Sequence, residues 1–234
     1  MAQELTVRVK EVIQRTYNVK SVRLDIGREI DFKAGQFLSI TLQDNPALKK
    51  YLSISSSPTE KYYLEITKKI TNSDFSKVLT QLLPGDTVKI QYPSGKFILD
   101  DTSVNIAFLS GGIGITPIRS IAKYVVDKNL GTDMVLIYAN RSAKDIVFKE
   151  DFDAMQKVYP KLKVAHVLCD PAPDFKCIPG LINAQVIKDE VSDYLNRRFY
   201  LCGPPQMVEA MGKILTEELN LPKENIITEN FQGY

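Results

Sequence analysis

The chain has 234 residues, which is enough for one large domain or for two domains of about 100 to 150 residues each. Hydrophobic residues make up 44% and charged residues 25%, a balance that excludes a disordered chain or a fibre. Thirty Lys and Arg against 28 Asp and Glu give a formal charge of +2, so we expect no nucleic-acid partner. The N-terminal segment has no apolar signal-peptide region and no stretch approaches a membrane span, so we expect a soluble, cytoplasmic protein.

Cysteine and histidine are too few for the sites that usually need them. Cys169, Cys177 and Cys202 are an odd number without C-x-x-C spacing, which argues against a disulfide framework and against a zinc or iron–sulfur site. The one histidine, His166, lies in the apolar run "KVAHVL". We interpret it as a strand residue and expect neither a histidine triad nor a metal cluster.

The N-terminal part of the chain is rich in short runs of β-branched and aromatic residues bounded by turn residues. These predicted strands are "LTVRVKEVIQRT", "VKSVRLDI", "QFLSITL", "YLSISS", "YYLEITKKI" and "DTVKIQY". One short helix is predicted over Asp74 to Leu83. Six strands that close on themselves leave no exposed edge, so we predict a six-stranded antiparallel β-barrel over residues 1–101.

After "FILDD" the pattern changes to apolar runs that alternate with amphipathic segments. The predicted strands are "VNIAFLS", "MVLIYA", "KVAHVL", "RFYLCG" and "NIITEN". The predicted helices lie in "TPIRSIAKYVVDKN", "FKEDFDAMQKVY", "AQVIKDEVSDYL" and "QMVEAMGKILTEEL". We predict an α/β domain over residues 102–234, with a doubly wound sheet of five parallel strands.

Two loops have the composition of a ligand site at the switch point of such a sheet. With strand order 3-2-1-4-5, ligands bind between the ends of strands 1 and 4. Strand 1 ends in "SGGIGITP", where Gly111, Gly112 and Gly114 permit close approach of a ligand. Thr116 is a candidate N-cap there and Pro117 suits the first helical turn, which together favour a bound phosphate.

Strand 4 ends in "CGPPQM", in which Gly203 and Pro204 form a stiff turn that presents Cys202 to the same crevice. Taken singly, each loop has a simpler interpretation. The glycine-rich loop does not have G-x-G-x-x-G spacing and could be a tight turn, and a lone cysteine is most often a small buried hydrophobe. Their coincidence at one switch point favours a nucleotide site.

Eight segments, in chain order, resemble motifs of the ferredoxin–NADP(+) reductase superfamily. They are "AGQF", "YLSISSSP", "PGDTVKI", "GKFIL", "SGGIGITP", "YANRS", "YLCGPPQMV" and "ENFQGY". The resemblance implies an N-terminal FAD-binding barrel and a C-terminal NAD(P)-binding domain. It also implies hydride transfer between NADPH or NADH and bound FAD.

The family motif R-x-Y-S is only partly present in "KYLS". Lys50 stands in place of the arginine that binds the flavin pyrophosphate, and Leu52 in place of the tyrosine that packs on the isoalloxazine ring. Lysine lacks the bidentate guanidinium, so phosphate binding could be shared with Lys49. Ser53 matches the serine near flavin N5, and the later serines of the segment are expected near the phosphates. Tyr51 and Ile66 complete the expected FAD contacts on these strands.

A second phosphate-binding motif resembles "SDFS", where Ser76 would bind the pyrophosphate and Ser73 replaces a glycine. Ser73 could equally be a helix N-cap. The ending "ENFQGY" implies that Phe231 covers the flavin, with Tyr234 beyond it and Glu229 near the transfer point. The resemblance thus makes Ser53, Cys202 and Glu229 the catalytic candidates, in orienting and charge-stabilising roles.

The nucleotide preference and the electron acceptor stay open at this stage. Asn140 and Arg141 follow strand 2 and are expected at the nucleotide, where Arg141 or Lys144 could meet a 2′-phosphate. No acidic residue ends that strand, which favours NADPH over NADH. Ferredoxin, flavodoxin or free flavin is the expected acceptor. A subunit that transfers electrons only within a larger complex, and a nucleotide-binding module without flavin, are the alternatives.

Overall fold

The computed structural model describes residues 3–28, 31–99 and 104–230. They form an antiparallel barrel followed by a three-layer α/β unit. The predicted boundary at 101/102 lies outside the described residues. Within those ranges no helix is long and apolar enough to cross a membrane.

The N-terminal unit is a six-stranded antiparallel sheet with the order β4-β3-β6-β1-β2-β5. Its strands are β1 (Gln3–Thr16), β2 (Val19–Asp25), β3 (Phe37–Thr41), β4 (Lys49–Ser53), β5 (Tyr63–Lys69) and β6 (Thr87–Ser94). An antiparallel bridge between Ile54 and Ile66 joins the two edges and closes the barrel at one end. The predicted barrel is therefore confirmed.

Helix α1 (Asp74–Gln81) lies between β5 and β6. It ends two residues before the predicted end, and its C-cap Leu82 is extended. Pro84 explains the early stop, because the residue before a proline is disfavoured in helical conformation.

The C-terminal sheet is parallel, with the order β10-β9-β8-β7-β11-β12. Its strands are β7 (Asn105–Gly111), β8 (Asp133–Asn140), β9 (Leu162–Leu168), β10 (Ile178–Pro179), β11 (Arg198–Gly203) and β12 (Ile226–Asn230). The five predicted strands and their order are confirmed. The sixth strand, β10, was not predicted, because two residues that include a proline produce no periodic pattern.

Helices cover both faces of this sheet. They are α2 (Ile115–Lys128), α3 (Lys149–Val158), α4 (Ala184–Glu190) and α5 (Pro205–Lys213). One buried cluster joins α2 and α3 to one face, and another joins α4 and α5 to the other. The last predicted helix is divided, since α5 continues as a π-helical turn, Ile214–Glu218.

Helix α2 also packs against the barrel through a buried arginine. Arg119 donates to the backbone oxygen of Ser55 at 3.0 Å and pairs with the carboxylates of Glu60 and Asp151. Ser120 donates to the backbone oxygen of Ser56 at 2.7 Å. These bonds hold the segment after β4 against α2, so the end of β4 lies beside the C-terminal α/β unit.

Candidate functional site

Strands β4 and β5 lie at the two ends of the barrel sheet and are joined by the Ile54–Ile66 bridge, and we call the gap between them beyond that bridge the groove. Lys50 and Leu52 on β4 lie opposite Ile40 and Leu38 of β3, both of which are fully buried in the barrel core. Side chains of directly paired residues share one face of a sheet, so Lys50 and Leu52 point to the inner side. Leu52, which replaces the ring-stacking tyrosine of the motif, packs against the barrel core there.

The facing wall of the groove comes from β5. Ile66 is buried, and Lys68, two residues further along, lies on the same inner face. Lys68 was not among the predicted site residues, although the alternation Leu64, Ile66, Lys68 places it inside the barrel.

Tyr51 lies on the face of β4 opposite to that of Lys50 and Leu52, so its FAD contact stays a prediction. It is 63% exposed, touches the edge of the Phe37 ring at 6.0 Å between centroids, and has the Lys49 ammonium 5.6 Å above its own ring. Adjacent strand residues point to opposite faces, so Tyr51 and Lys49 lie on the outside of the barrel. Lys49 therefore cannot share a phosphate with Lys50 from this position.

Ser53, at the end of β4, is 3% exposed, and its hydroxyl has no hydrogen-bond partner among the described residues. A buried hydroxyl without a partner costs free energy, so such an atom indicates where a ligand supplies the missing bond. The predicted position of Ser53 at the flavin fits this observation.

The serines that follow Ser53 are buried, so the prediction that their hydroxyls lie near the phosphates is wrong. Ser55 donates to Glu65 at 3.1 Å and lies 2.8 Å from the Thr67 hydroxyl, while Ser56 accepts from the backbone N–H of Glu65. Ser57 is fully buried as well. Their hydroxyls were predicted near the ligand because the sequence alone does not reveal these bonds to β5.

The N-terminus of α1 holds a cluster of hydroxyls. Ser73 is the N-cap and accepts from the N–H of Ser76 at 3.3 Å, as one of its two interpretations predicted. The Ser76 hydroxyl lies 3.1 Å from those of Ser73 and Thr71. A helix N-terminus favours anions, so the cluster lies where a phosphate would be stabilised.

The predicted crevice between the ends of β7 and β11 is present, with a volume of about 540 Å³. Gly114 is required for its shape, because a Cβ atom there would lie 2.2 Å from the carbonyl oxygen of Cys202. Gly112 has a φ of +52° and no atom near its Cβ position, so its backbone faces open space. These two glycines bring the loops together and leave room for a ligand.

The start of α2 differs from the prediction. A 3₁₀ turn, Gly112–Gly114, precedes the helix, and Gly114 occupies the N-cap position. Thr116 is therefore the second helical residue, and its hydroxyl donates to the carbonyl of Ile113 at 3.1 Å. Thr116 and Pro117 are buried under the loop and do not line the crevice.

The predicted nucleotide residues thus divide into two groups. Those that line the crevice are Gly111, Gly112, Asn140, Arg141 and Pro204. Those that lie beneath its surface are Gly114, Thr116, Pro117, Cys202 and Gly203. The buried group shapes the loops, and the lining group is the one available for direct contact.

Asn140 and Arg141 form the end of the crevice at β8. Asn140 is 7% exposed, and neither amide atom has a partner among the described residues. Arg141 is exposed and donates to Asp170 at 3.0 Å, a residue just beyond β9. Asp170 was not predicted as part of this site.

The barrel contributes a second wall to the crevice. Tyr17, Val19 and Lys69 line it, and the Tyr17 hydroxyl donates to Asp145 at 2.8 Å across the two domains. Tyr17 lies in the turn between β1 and β2, where no sequence pattern indicates a ligand.

Three polar side chains meet at the end of the parallel sheet. In register, Cys202 on β11 lies between Ser110 on β7 and Glu229 on β12. Burial raises the pKa of the Cys202 thiol well above its usual value, with the Glu229 carboxylate adding to the effect. Burial also raises the pKa of Glu229 to about 7. The Ser110 hydroxyl is buried without a partner in the described part of the chain. Phe231 and Tyr234 lie outside the described residues.

His166 lies on β9 as predicted, with its ring 5.3 Å from that of Phe175 and 6.1 Å from that of Tyr138. Burial lowers its pKa, followed by the positive charge of Lys149. Among residues 3–28, 31–99 and 104–230, no group of three or more His, Cys, Asp or Glu side chains could hold a metal ion.

The groove and the crevice fit a flavin and a pyridine nucleotide. The groove has an apolar floor, two lysines and a helix N-terminus, and the unpartnered Ser53 hydroxyl lies at the end of β4, on the face of the strand that Tyr51 shares. The crevice has an open glycine backbone and the unpartnered Asn140 amide. Both are features that a dinucleotide with phosphate and polar ring groups would use.

Comparison with known proteins agrees with this geometry. Residues 4–98 match the oxidoreductase FAD-binding domain family, and residues 108–213 match the oxidoreductase NAD-binding domain family. The chain is 30% identical over 236 residues to an NADH-cytochrome b5 reductase 1 of Aspergillus terreus, covering 94% of this chain and 79% of that protein.

It is also 31% identical over 219 residues to a glycine betaine monooxygenase reductase subunit of Pseudomonas aeruginosa. That match covers 89% of this chain but only 59% of the relative's length. The cytochrome b5 reductase domain of Ulva prolifera nitrate reductase has the same fold, with a TM-score of 0.86, 22% identity and 97% of each chain covered.

Proposed function

Because the chain belongs to the ferredoxin–NADP(+) reductase superfamily, as an FAD-binding oxidoreductase that uses NAD(P)H, we propose that it oxidises NADH and passes the electrons to a separate carrier protein. The observation that carries this proposal is the meeting of the two sites. The segment that follows β4 and its unpartnered Ser53 hydroxyl is bonded to α2, and residues 111–113, which lie just before α2, line the nucleotide crevice.

When bound, FAD supplies the chemistry of accepting a hydride and releasing electrons singly. The chain itself binds and orients. The Gly111–Gly112 backbone and Asn140 hold the nucleotide in the crevice, and Ser53 offers its hydroxyl to the flavin edge. Positioning of this kind supplies much of the rate enhancement in a transfer between two bound groups.

Burial sets the protonation states of Cys202 and Glu229 at the end of the sheet. The raised thiol pKa keeps Cys202 protonated, and with a pKa of about 7 Glu229 is a carboxylic acid below neutrality and a carboxylate above it. A protonated carboxyl group donates a hydrogen bond, so Glu229 can hold a proton next to Cys202 at the end of the parallel sheet. Neither residue is assigned a covalent step.

NADH is the proposed nucleotide, in place of the NADPH that the sequence favoured. No acidic residue ends β8, but Asp170 supplies a carboxylate at this position and accepts a hydrogen bond from Arg141. Asp145 adds a second negative charge nearby. The positive charge of Arg141 is thus already paired with carboxylates, which disfavours the binding of a 2′-phosphate. The relative from A. terreus carries NADH in its name.

Asp170→Asn tests this preference. We expect kcat/KM for NADPH relative to NADH to rise by about tenfold, the factor that corresponds to roughly 1.4 kcal/mol. Asp174→Asn, an exposed carboxylate in the same loop, is the matched control and should leave the ratio unchanged. An unaltered ratio in Asp170→Asn would remove the support for NADH.

The proposed acceptor is a one-electron carrier such as ferredoxin or flavodoxin, with free flavin as the alternative. A reductase subunit that works only within a complex is the second candidate, favoured by the longer monooxygenase reductase relative. Ferricyanide reduction by NADH with the purified chain alone decides between them. Turnover supports an autonomous reductase, and flavin that is reduced without turnover supports the subunit.

A further inference from the structure

Lys68 is a buried cation without a counter-charge. Its residue is 6% exposed, and its ammonium donates one hydrogen bond, to the carbonyl of Lys69 at 3.1 Å. None of the ion pairs of the described residues includes it, and its neighbour across the ladder on β2 is a further lysine, Lys20. An ammonium has three donors and is costly to bury unpaired.

The position of Lys68 relates it to Lys50 on the facing strand. The antiparallel bridge pairs Ile54 with Ile66, so continuation of that register would place Lys68 opposite Leu52 and next to Lys50. Both lysines lie on the inner face of the groove. Burial lowers the pKa of Lys68, and the positive charge of Lys50 lowers it further.

The same end of the groove contains the N-terminus of α1. Thr71, Ser73 and Ser76 follow β5 within a few residues and present clustered hydroxyls beside the positive end of the helix dipole. Two lysines and a helix N-terminus at one end of a groove destabilise one another in the absence of an anion. A pyrophosphate, with two negative charges, would relieve that repulsion.

We propose that Lys68 and Lys50, from facing strands, together bind the FAD pyrophosphate and so divide the role of the arginine that this chain lacks. Lys49, the neighbouring lysine on β4, takes no part, since it lies on the outer face. This inference depends on FAD binding and is independent of the proposed electron acceptor.

The test is flavin affinity of the full chain, measured by flavin fluorescence after removal of bound FAD. Lys68→Met and Lys50→Met should each weaken FAD by about 10- to 100-fold, the loss expected for a charge-assisted hydrogen bond. Riboflavin, which has no phosphate, should bind all variants equally. Lys49→Met is the matched control and should bind FAD as the natural chain does.

Thermal unfolding of the flavin-free chain provides a second measurement. Removal of an unpaired buried charge should make flavin-free Lys68→Met melt higher than the natural chain, although it binds FAD more weakly. A lower melting temperature, FAD affinity within twofold of the natural value, or an equal loss for riboflavin and FAD would each overturn the proposal.

Discussion

Gly114→Ala is the substitution that tests the geometry of the two nucleotide loops most sharply. The added Cβ would lie 2.2 Å from the Cys202 carbonyl oxygen, whereas ordinary contact begins at 3.4 Å, so the loops must separate by 1.2 Å, the difference of the two distances. The carbonyl cannot yield easily, because β11 is held between β7 and β12. Overpacking of this kind costs about 1–3 kcal/mol.

For a chain of this size we expect Gly114→Ala to lower Tm by about 2–12 °C. The rate of flavin reduction at saturating NADH should fall by up to about 100-fold, the scale of a 1 Å misplacement. Stopped-flow absorbance and thermal unfolding are the assays. Gly212→Ala is the matched control: its Cβ meets no atom within 4 Å in α5, so it should be neutral or stabilising by about 0.5–1 kcal/mol. A Gly114→Ala chain that melts and reacts like the natural one would refute the close approach of the loops.

Three further substitutions probe the domain interface and the end of the sheet. Arg119→Met leaves the Glu60 carboxylate buried without its partner, so thermal unfolding should show a Tm lower by about 6–20 °C, from a cost of about 3–5 kcal/mol; a smaller loss than 2 °C would contradict the buried pair. Cys202→Ala should slow flavin reduction by NADH in stopped-flow while FAD stays bound, and an unchanged rate would exclude Cys202 from the transfer point. The pKa of Glu229 is raised in the fold from 4.5 to about 7, so the folded state retains a proton that the unfolded state releases, and stability falls as pH rises from about 4.5 to 7. The Tm of Glu229→Gln minus the Tm of the natural chain should therefore be larger at pH 8 than at pH 5. An equal difference at the two pH values would contradict the raised pKa.

Most of the fold prediction rested on two features, the alternation of apolar and polar residues along the barrel strands and the strand order of a doubly wound sheet. The barrel strands show a period of two because one face is buried, and the parallel strands are apolar throughout because both faces are covered. What escaped prediction was short or depended on tertiary contacts. β10 has two residues, and α5 changes to a π-helical turn without a break in its apolar pattern.

For the site, position along a strand proved more informative than residue type. Tyr51 is aromatic but lies on the outer face, while Lys68 is charged but lies inside, and strand parity distinguishes them. Asp170 could also have been found, because β8 and β9 are neighbours in the predicted order and their ends must meet. The burial of Ser55 could not, since it depends on tertiary contacts with β5 through its hydroxyl and with Arg119 through its carbonyl.

The central claim, that this chain passes electrons from NADH to bound FAD, is tested most directly by anaerobic titration of the purified protein. Oxidised flavin absorbs at about 450 nm, and reduction by a two-electron donor abolishes that band. We predict a yellow protein whose band disappears with one equivalent of NADH per FAD, and far less readily with NADPH. A protein without the band, or one whose band persists under excess NADH and NADPH, would contradict the account.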